Sequence, residues 1–213
     1  FLSGNGIVTE FDPREYYKSF IKECINMGDR KLKVVLDCGN GTTSLYAKSI
    51  YSQFPNLDIT MICDESDATF PNHHPDPIVP ENNAMLMKKV LEIGADIGIG
   101  FDGDGDRMGM VSENAKFLPT DQFMTIVVRD LINKVDKKEF LCDVKCSKTF
   151  EDEVKKLGGK CITYRTGNSY TKAKVKEEDL PFGGELSGHV YFRDRWPGFD
   201  SGLFAGLRLL EIL

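Results

Sequence analysis

Midway along the chain, Gly100-Phe101-Asp102-Gly103-Asp104-Gly105-Asp106-Arg107 sets three carboxylates at alternate positions with glycine between them. In an extended loop alternate side chains share a side, and glycine lets the backbone turn tightly, so three oxygen donors can converge on one hard cation. Mg²⁺ suits such a set, because it keeps coordination positions for water or a phosphate oxygen. A polar Asp-Gly turn accounts for the glycines but not for three like charges within five residues, which repel without a counterion. A calcium loop of the EF-hand kind is the other reading, with Asp102, Asp104 and Asp106 at its first, third and fifth positions and Glu113 at its twelfth. Arg107 stands where that loop needs glycine, and the flanks read as strands instead of helices.

A second glycine-rich loop, Gly183-Gly184-Glu185-Leu186-Ser187-Gly188-His189, combines a carboxylate, a hydroxyl and an imidazole. A carboxylate beside a hydroxyl can pair with adjacent sugar hydroxyls while backbone groups approach through the glycines. Taken alone, such a loop is equally a polar hairpin. His73 and His74 invite a metal assignment, but neighbours in an extended segment point apart, and Pro71, Pro75 and Pro77 favour a stiff structural connection. The turn from Asp37 to Thr42 opens a helix but lacks the lysine of a P-loop and the third glycine of a dinucleotide fingerprint, so it reads as helix initiation.

These loops need strands to hold them. The pattern gives a helix over 13–26, strands at 34–36 and 57–63, helices to about 54 and over 81–93, a strand at 96–101, and a strand at 108–111 that the short turn makes antiparallel to it. The order repeats with a helix at 121–132, strands at 140–144 and 160–164, helices at 147–157 and 169–178, and paired strands at 182–185 and 189–192. The expected fold is therefore α/β: two similar three-layer domains, each a mixed, mostly parallel four-stranded sheet flanked by helices, spanning 1–116 and 117–213. The last residues read as an amphipathic helix that is not finished. With a first residue of Phe1, this suggests a piece of a longer chain.

The 213 residues, 41% of them hydrophobic, suffice for two cores. A net charge of −6 gives no general attraction for nucleic acid or an anionic membrane, and no apolar run approaches the roughly 20 residues of a membrane span. The six cysteines form no CxxC pair or zinc spacing and read as free, buried thiols of a reducing cytoplasm.

Together the two loops resemble the α-D-phosphohexomutase superfamily, of the phosphomannomutase/phosphoglucomutase type. Support comes from Asp37-Cys38-Gly39-Asn40-Gly41, from Phe70-Pro71-Asn72-His73-His74-Pro75-Asp76-Pro77 and from Asp143-Val144-Lys145-Cys146-Ser147. The resemblance implies that this chain holds the second and third of four domains. Asp102, Asp104 and Asp106 would bind Mg²⁺, and Glu185 and Ser187 a phosphorylated hexose. Arg107, Lys145 and His189 would serve in catalysis. The first domain's phosphoserine and the fourth domain's phosphate loop are not in this sequence, so no nucleophile is assigned. Asn168 stands where bacterial relatives commonly carry histidine. As an amide it can bind substrate but cannot exchange a proton near neutral pH. The implied activity is exchange between hexose 1-phosphate and 6-phosphate, with mannose and/or glucose as substrate, in a parent enzyme; the fragment alone is expected to be inactive. Alternatives are a phosphoglucosamine mutase fragment or a non-catalytic calcium- or sugar-binding module.

Overall fold

Two sheets, each with one strand reversed, carry the chain's two glycine-rich loops at the ends of their strands. A computed structural model describes residues 3–213. Its elements are α1 (Arg14–Cys24), β1 (Leu32–Asp37), α2 (Ala47–Tyr51), β2 (Leu57–Ile62), α3 (Ala84–Ile93), β3 (Ile97–Phe101), β4 (Met108–Ser112), β5 (Phe117–Leu118), α4 (Thr120–Leu131), β6 (Glu139–Asp143), α5 (Lys148–Lys156), β7 (Lys160–Tyr164), α6 (Asn168–Glu177), β8 (Phe182–Gly184), β9 (Val190–Phe192) and α7 (Gly202–Ile212). The strand orders are β2-β1-β3-β4-β5 and β7-β6-β8-β9. β1 lies parallel to β2 and β3, and β6 parallel to β7 and β8, whereas β4 and β9 run antiparallel to their neighbours. The first sheet thus has the four expected strands and a fifth of two residues. Phe117 and Leu118 pair with Val111 and Met110, so a division after residue 116 cuts this strand from its own sheet.

The helices explain how the sheets are joined. α3 covers one face of the first sheet through Leu86 and Val90 against Val35 and Val111. α6 covers the far face of the second, where Val175 meets Leu141 and Tyr191. Between the sheets lies one continuous core, shared by Leu36, Ile99 and Met110 of the first, by Phe140 and Phe182 of the second, and by Val127, Phe204 and Leu207 of α4 and α7. α4 and α7 therefore belong to both halves: each packs against β4 of the first sheet, α4 also against β8 of the second, and α7 sets Phe204 edge-on to Phe192 of β9 at 5.5 Å between ring centroids.

The expected amphipathic helix at the end of the chain is not amphipathic. Every residue of α7 from Gly202 to Leu210 is buried, which is the signature of a helix enclosed on all sides. Its one cation in that stretch, Arg208, is 0% exposed; it is held by Asp194 at 2.8 and 2.9 Å and lies over the Phe192 ring at 4.7 Å. α1 adds a further strap across the halves, with Phe20 stacked on Trp196 at 5.1 Å between ring centroids.

Candidate active site

The aspartate loop leaves β3 at Phe101 and re-enters β4 at Met108, and these two residues pair across the antiparallel ladder. Asp102 is its pivot. At 2% exposure, its Oδ1 accepts the backbone N–H groups of Gly105 (3.0 Å) and Arg107 (3.1 Å), and its Oδ2 accepts Arg107 Nε (2.8 Å). The loop can close this tightly because Gly105 takes a left-handed φ of 82°, where a Cβ would sit 2.6 Å from Thr43 Cγ2.

One oxygen each of Asp102, Asp104 and Asp106 lies within 4.8 Å of the others. At an effective dielectric near 20, each such pair repels by about 3–4 kcal/mol. Burial, followed by the charge of Asp102, raises Asp104 above its ordinary value; burial pushes Asp106 up to about 7, with His189 opposing and Asp102 and Asp104 adding to the rise. A trio that resists carrying its own negative charge, offering oxygen donors only, fits a hard divalent cation. The calcium-loop reading does not hold: strands flank the loop, and Glu113 hydrogen-bonds Asn114 on the β4–β5 turn, outside the acidic trio.

The second loop closes between β8 and β9, with Glu185 N donating to His189 O (2.9 Å) and Gly188 N to Glu185 O (3.1 Å). Glu185, expected to face a sugar, is 1% exposed and already engaged. Its Oε1 accepts Gly167 N (2.7 Å) and Thr171 Oγ1 (2.5 Å), and its Oε2 accepts Ser187 Oγ (3.0 Å). It anchors the loop, and a sugar contact requires the Ser187 hydroxyl to swing away. A second buried acid matches it. Asp143, 0% exposed, accepts Leu186 N (3.1 Å), Thr166 Oγ1 (2.6 Å) and Cys146 Sγ (3.1 Å), so one carboxylate holds the loops after β6, β7 and β8 together.

His189 faces the aspartate loop, with Nδ1 2.9 Å from Asp200 Oδ2 and 3.6 Å from Asp106 Oδ2. Burial alone would discharge the ring, but the hydrogen bond to Asp200 and the charge of Asp106 outweigh it and raise His189 above its ordinary value. Burial also works against Asp200, yet hydrogen bonds from His189 and Lys172 hold its carboxyl well below the usual range. Asn168 donates to Asp200 Oδ2 (2.7 Å) and accepts from Tyr191 OH (3.3 Å), so its amide is tied into this network. Sequence reasoning missed Asp200 altogether. Lys145 lies exposed on the turn after β6, with no ion-pair partner among the described residues, and no contact joins it to the aspartate loop.

The two loops meet. Arg107 Nη1 reaches Asp76 Oδ1 (3.2 Å) and Ser187 O (3.3 Å), and Gly202 N donates to Gly105 O (2.9 Å). Beside this seam is a cavity of about 230 Å³ bordered by Tyr17, Thr43, Asp104, Asp106 and Asp200. A larger cavity, about 670 Å³, lies elsewhere, among Lys134, Asp179, Arg193 and Glu211, and borders none of these groups. The shifted acids and the imidazole gather at the smaller cavity, which makes it the candidate site in preference to the larger volume.

Comparison with known proteins gives the chain's family. Residues 14–115 match the family model for phosphoglucomutase/phosphomannomutase, alpha/beta/alpha domain II, and residues 119–213 match that for domain III. The chain is 41% identical over 184 residues to the phosphomannomutase/phosphoglucomutase of Pseudomonas putida, covering 86% of this chain and 40% of that protein. Against the Pseudomonas aeruginosa protein of the same name it is 39% identical over 211 residues, covering 99% and 45%. A solved phosphoglucomutase/phosphomannomutase family protein from Burkholderia thailandensis superposes with a TM-score of 0.95 at 37% identity, covering all of this chain and 46% of that one. The chain thus spans less than half the length of these relatives. It belongs to the phosphoglucomutase/phosphomannomutase family and carries that family's α/β/α domains II and III.

Proposed function

We propose that the parent protein is a phosphohexomutase that exchanges hexose 1-phosphate and hexose 6-phosphate, with mannose or glucose as the sugar, and that this chain supplies its cation loop and its sugar loop. One observation carries the reading: the acidic trio and the Glu185–Ser187 hairpin come from different sheets yet touch, through Arg107 on Ser187 and Asp106 beside His189. The domain division is proposed to follow Leu118, after the last strand of the first sheet.

Asp102, Asp104 and Asp106 would hold Mg²⁺, which when bound neutralises charge on a transferring phosphoryl group. Arg107, fixed by Asp102 and Asp76, presents a cation to the same space and orients a phosphate dianion there. Ser187 would offer its hydroxyl to a sugar that enters in either of two orientations, and Glu185 would join it through Oε2 once the Ser187 hydroxyl turns from that oxygen to the sugar. His189, aligned by Asp200, would hold a proton at the ring for a sugar oxygen or contact the phosphate. Lys145, exposed on the turn whose Asp143 holds Leu186, would supply a cation, and Asn168 a hydrogen bond beside Asp200.

A phosphoserine in the parent's first domain would give its phosphoryl group to the free hydroxyl of the monophosphate. The resulting bisphosphate, bound in the opposite sense, would return its other phosphate to the serine. The fourth domain would complete phosphate binding. No helix among the described residues is long and apolar enough to cross a membrane, and six free thiols support a reducing, cytoplasmic setting. The test is Asp104→Asn in the full-length parent, assayed in both directions with a bisphosphate activator. Turnover falls by ~100-fold or more, the scale of losing one preorganised electrostatic element, while the melting temperature holds; wild-type turnover would refute the assignment. The 213-residue chain alone shows no mutase activity in the same assay.

A further inference from the structure

A second cluster of ligand-type side chains lies behind the aspartate loop and shares no residue with it. Asp37 ends β1, Cys63 follows the last residue of β2, and His73 comes from the proline-stiffened segment that crosses their ends. One donor atom of each lies within 4.8 Å of the other two. We infer that Asp37, Cys63 and His73 form a second metal site, for a borderline-soft divalent ion of the Zn²⁺ class.

Three features of the cluster support this. First, the imidazole is oriented as a ligand. His73 Nδ1 lies 3.0 Å from His74 O, and a carbonyl only accepts, so the hydrogen sits on Nδ1 and Nε2 is turned inward. Metal-bound histidines are commonly fixed by this kind of outer hydrogen bond. Second, Nε2 points at Asp37, at 3.0 and 3.2 Å from its two oxygens, and Asp37 Oδ1 is itself aligned by Gly39 N–H at 2.9 Å. Asn72 donates to Asn40 Oδ1 (2.8 Å) and Asn40 N to Cys63 O (2.8 Å), so the three segments are clipped to one another around the cluster. Third, the donor set is one oxygen, one sulfur and one nitrogen. That set selects Zn²⁺ and its neighbours over Mg²⁺, whereas the aspartate trio, all oxygen, selects the reverse.

The side chains of Asp37 and His73 are 3% and 16% exposed, and Cys63 is half-buried, so the cluster is enclosed but reachable. A bound ion would staple the ends of β1 and β2 to the segment that carries Asp76, the partner of Arg107. The site is thereby structural for the reactive loop and takes no part in chemistry. Its rival is a proton: with Nε2 protonated, His73 and Asp37 form an imidazolium–carboxylate bridge without any metal.

Cobalt separates the two. The 213-residue chain is stripped with chelator, loaded with excess Mg²⁺ to fill oxygen-only sites, and titrated with Co²⁺ as a spectroscopic stand-in for Zn²⁺. The site predicts thiolate-to-cobalt charge-transfer absorption that saturates at one equivalent and is abolished by one equivalent of Zn²⁺. Cys63→Ser removes the absorption, His73→Gln weakens Co²⁺ binding at least ~10-fold, and Cys146→Ser changes neither; metal-free melts verify that each variant folds. Absence of the absorption in the wild-type chain leaves the protonated bridge only and overturns the proposal. So does absorption that survives Cys63→Ser, which would assign the thiolate to another cysteine.

Discussion

Gly202→Ala is the sharpest probe of how the fold holds the reactive loops. Gly202 opens α7, and its N–H donates to Gly105 O at 2.9 Å. An added Cβ would lie 2.5 Å from Arg107 O, 2.9 Å from Arg107 C and 3.0 Å from Gly105 O. All three are backbone atoms of the aspartate loop, so relief requires the loop and the helix to part. Overpacking of this kind costs about 1–3 kcal/mol, the strained hydrogen bond about 1 more, and the reduced freedom of the unfolded chain returns about 0.5–1. The net loss is about 1–3.5 kcal/mol, or roughly 2–14 °C in melting temperature for a chain of this size. Gly28→Ala is the control, because nothing lies within 4 Å of a Cβ there. Thermal melts in chelator and calorimetric Mg²⁺ titrations are run on both variants. Gly202→Ala loses stability and binds Mg²⁺ more weakly, since Gly105 and Arg107 position the carboxylates. If it melts within ~1 °C of Gly28→Ala and binds equally well, α7 does not hold the loop and the reasoning fails.

Two further outcomes test the buried polar framework. Asp143→Asn puts an amide donor where three donors converge, leaving at least one of Leu186 N–H, Thr166 Oγ1 and Cys146 Sγ without an acceptor; destabilisation of about 2–4 kcal/mol is expected, with faster hydrogen exchange at the Leu186 amide. Unchanged exchange at Leu186 would show that the carboxylate does not organise the loop. Tyr17 is pushed up from the ordinary tyrosine value by burial, against a hydrogen bond to Ser201 Oγ at 2.8 Å. Its folded value lies above its unfolded one, so its contribution is fully present below about pH 10 and is lost as pH rises beyond that. Denaturant melts of wild type and Tyr17→Phe therefore diverge in slope only on the alkaline side; parallel curves above pH 10 would contradict it.

What the sequence made legible was whatever is contiguous in it. The βα order follows from apolar runs and Gly turns within a few residues, and the aspartate loop holds its three carboxylates in five positions, so the element order and the convergence of these side chains are both seen in three dimensions, with element boundaries shifted by up to three residues. Tertiary roles were not legible. Asp200 lies eleven positions after His189 in an irregular segment with no motif, and only folding brings its carboxylate to the imidazole. Glu185 carries the residue type of a sugar ligand, but its burial and its hydrogen bonds from Gly167 and Thr171, which also make it an anchor of the loop, come from residues 14 and 18 positions away and could not be read from the motif. Arg208 and Glu211 gave the last helix an apparent polar face; Asp194, Arg195 and Phe192 turn that face inward. Two-residue β5 is too short for any periodicity to announce.

The shared middle layer bears on how a mutase could work. α4 and α7 pack on both sheets, the core between them is continuous, and the cation loop is hydrogen-bonded to the first residue of α7. A hinge opening between these two halves would expose Phe140, Ile99, Leu207 and Phe204 together, each of which contributes about 1.5–3 kcal/mol when buried. It would also break the Arg107–Ser187 and Gly202–Gly105 contacts. The spacing between the aspartate loop and the Glu185–Ser187 hairpin is therefore set by packing. On the proposed function, the reorientation that presents first one phosphate and then the other falls to the bisphosphosugar itself, or to domains attached outside this core, with the surfaces described here as the fixed wall of the cleft.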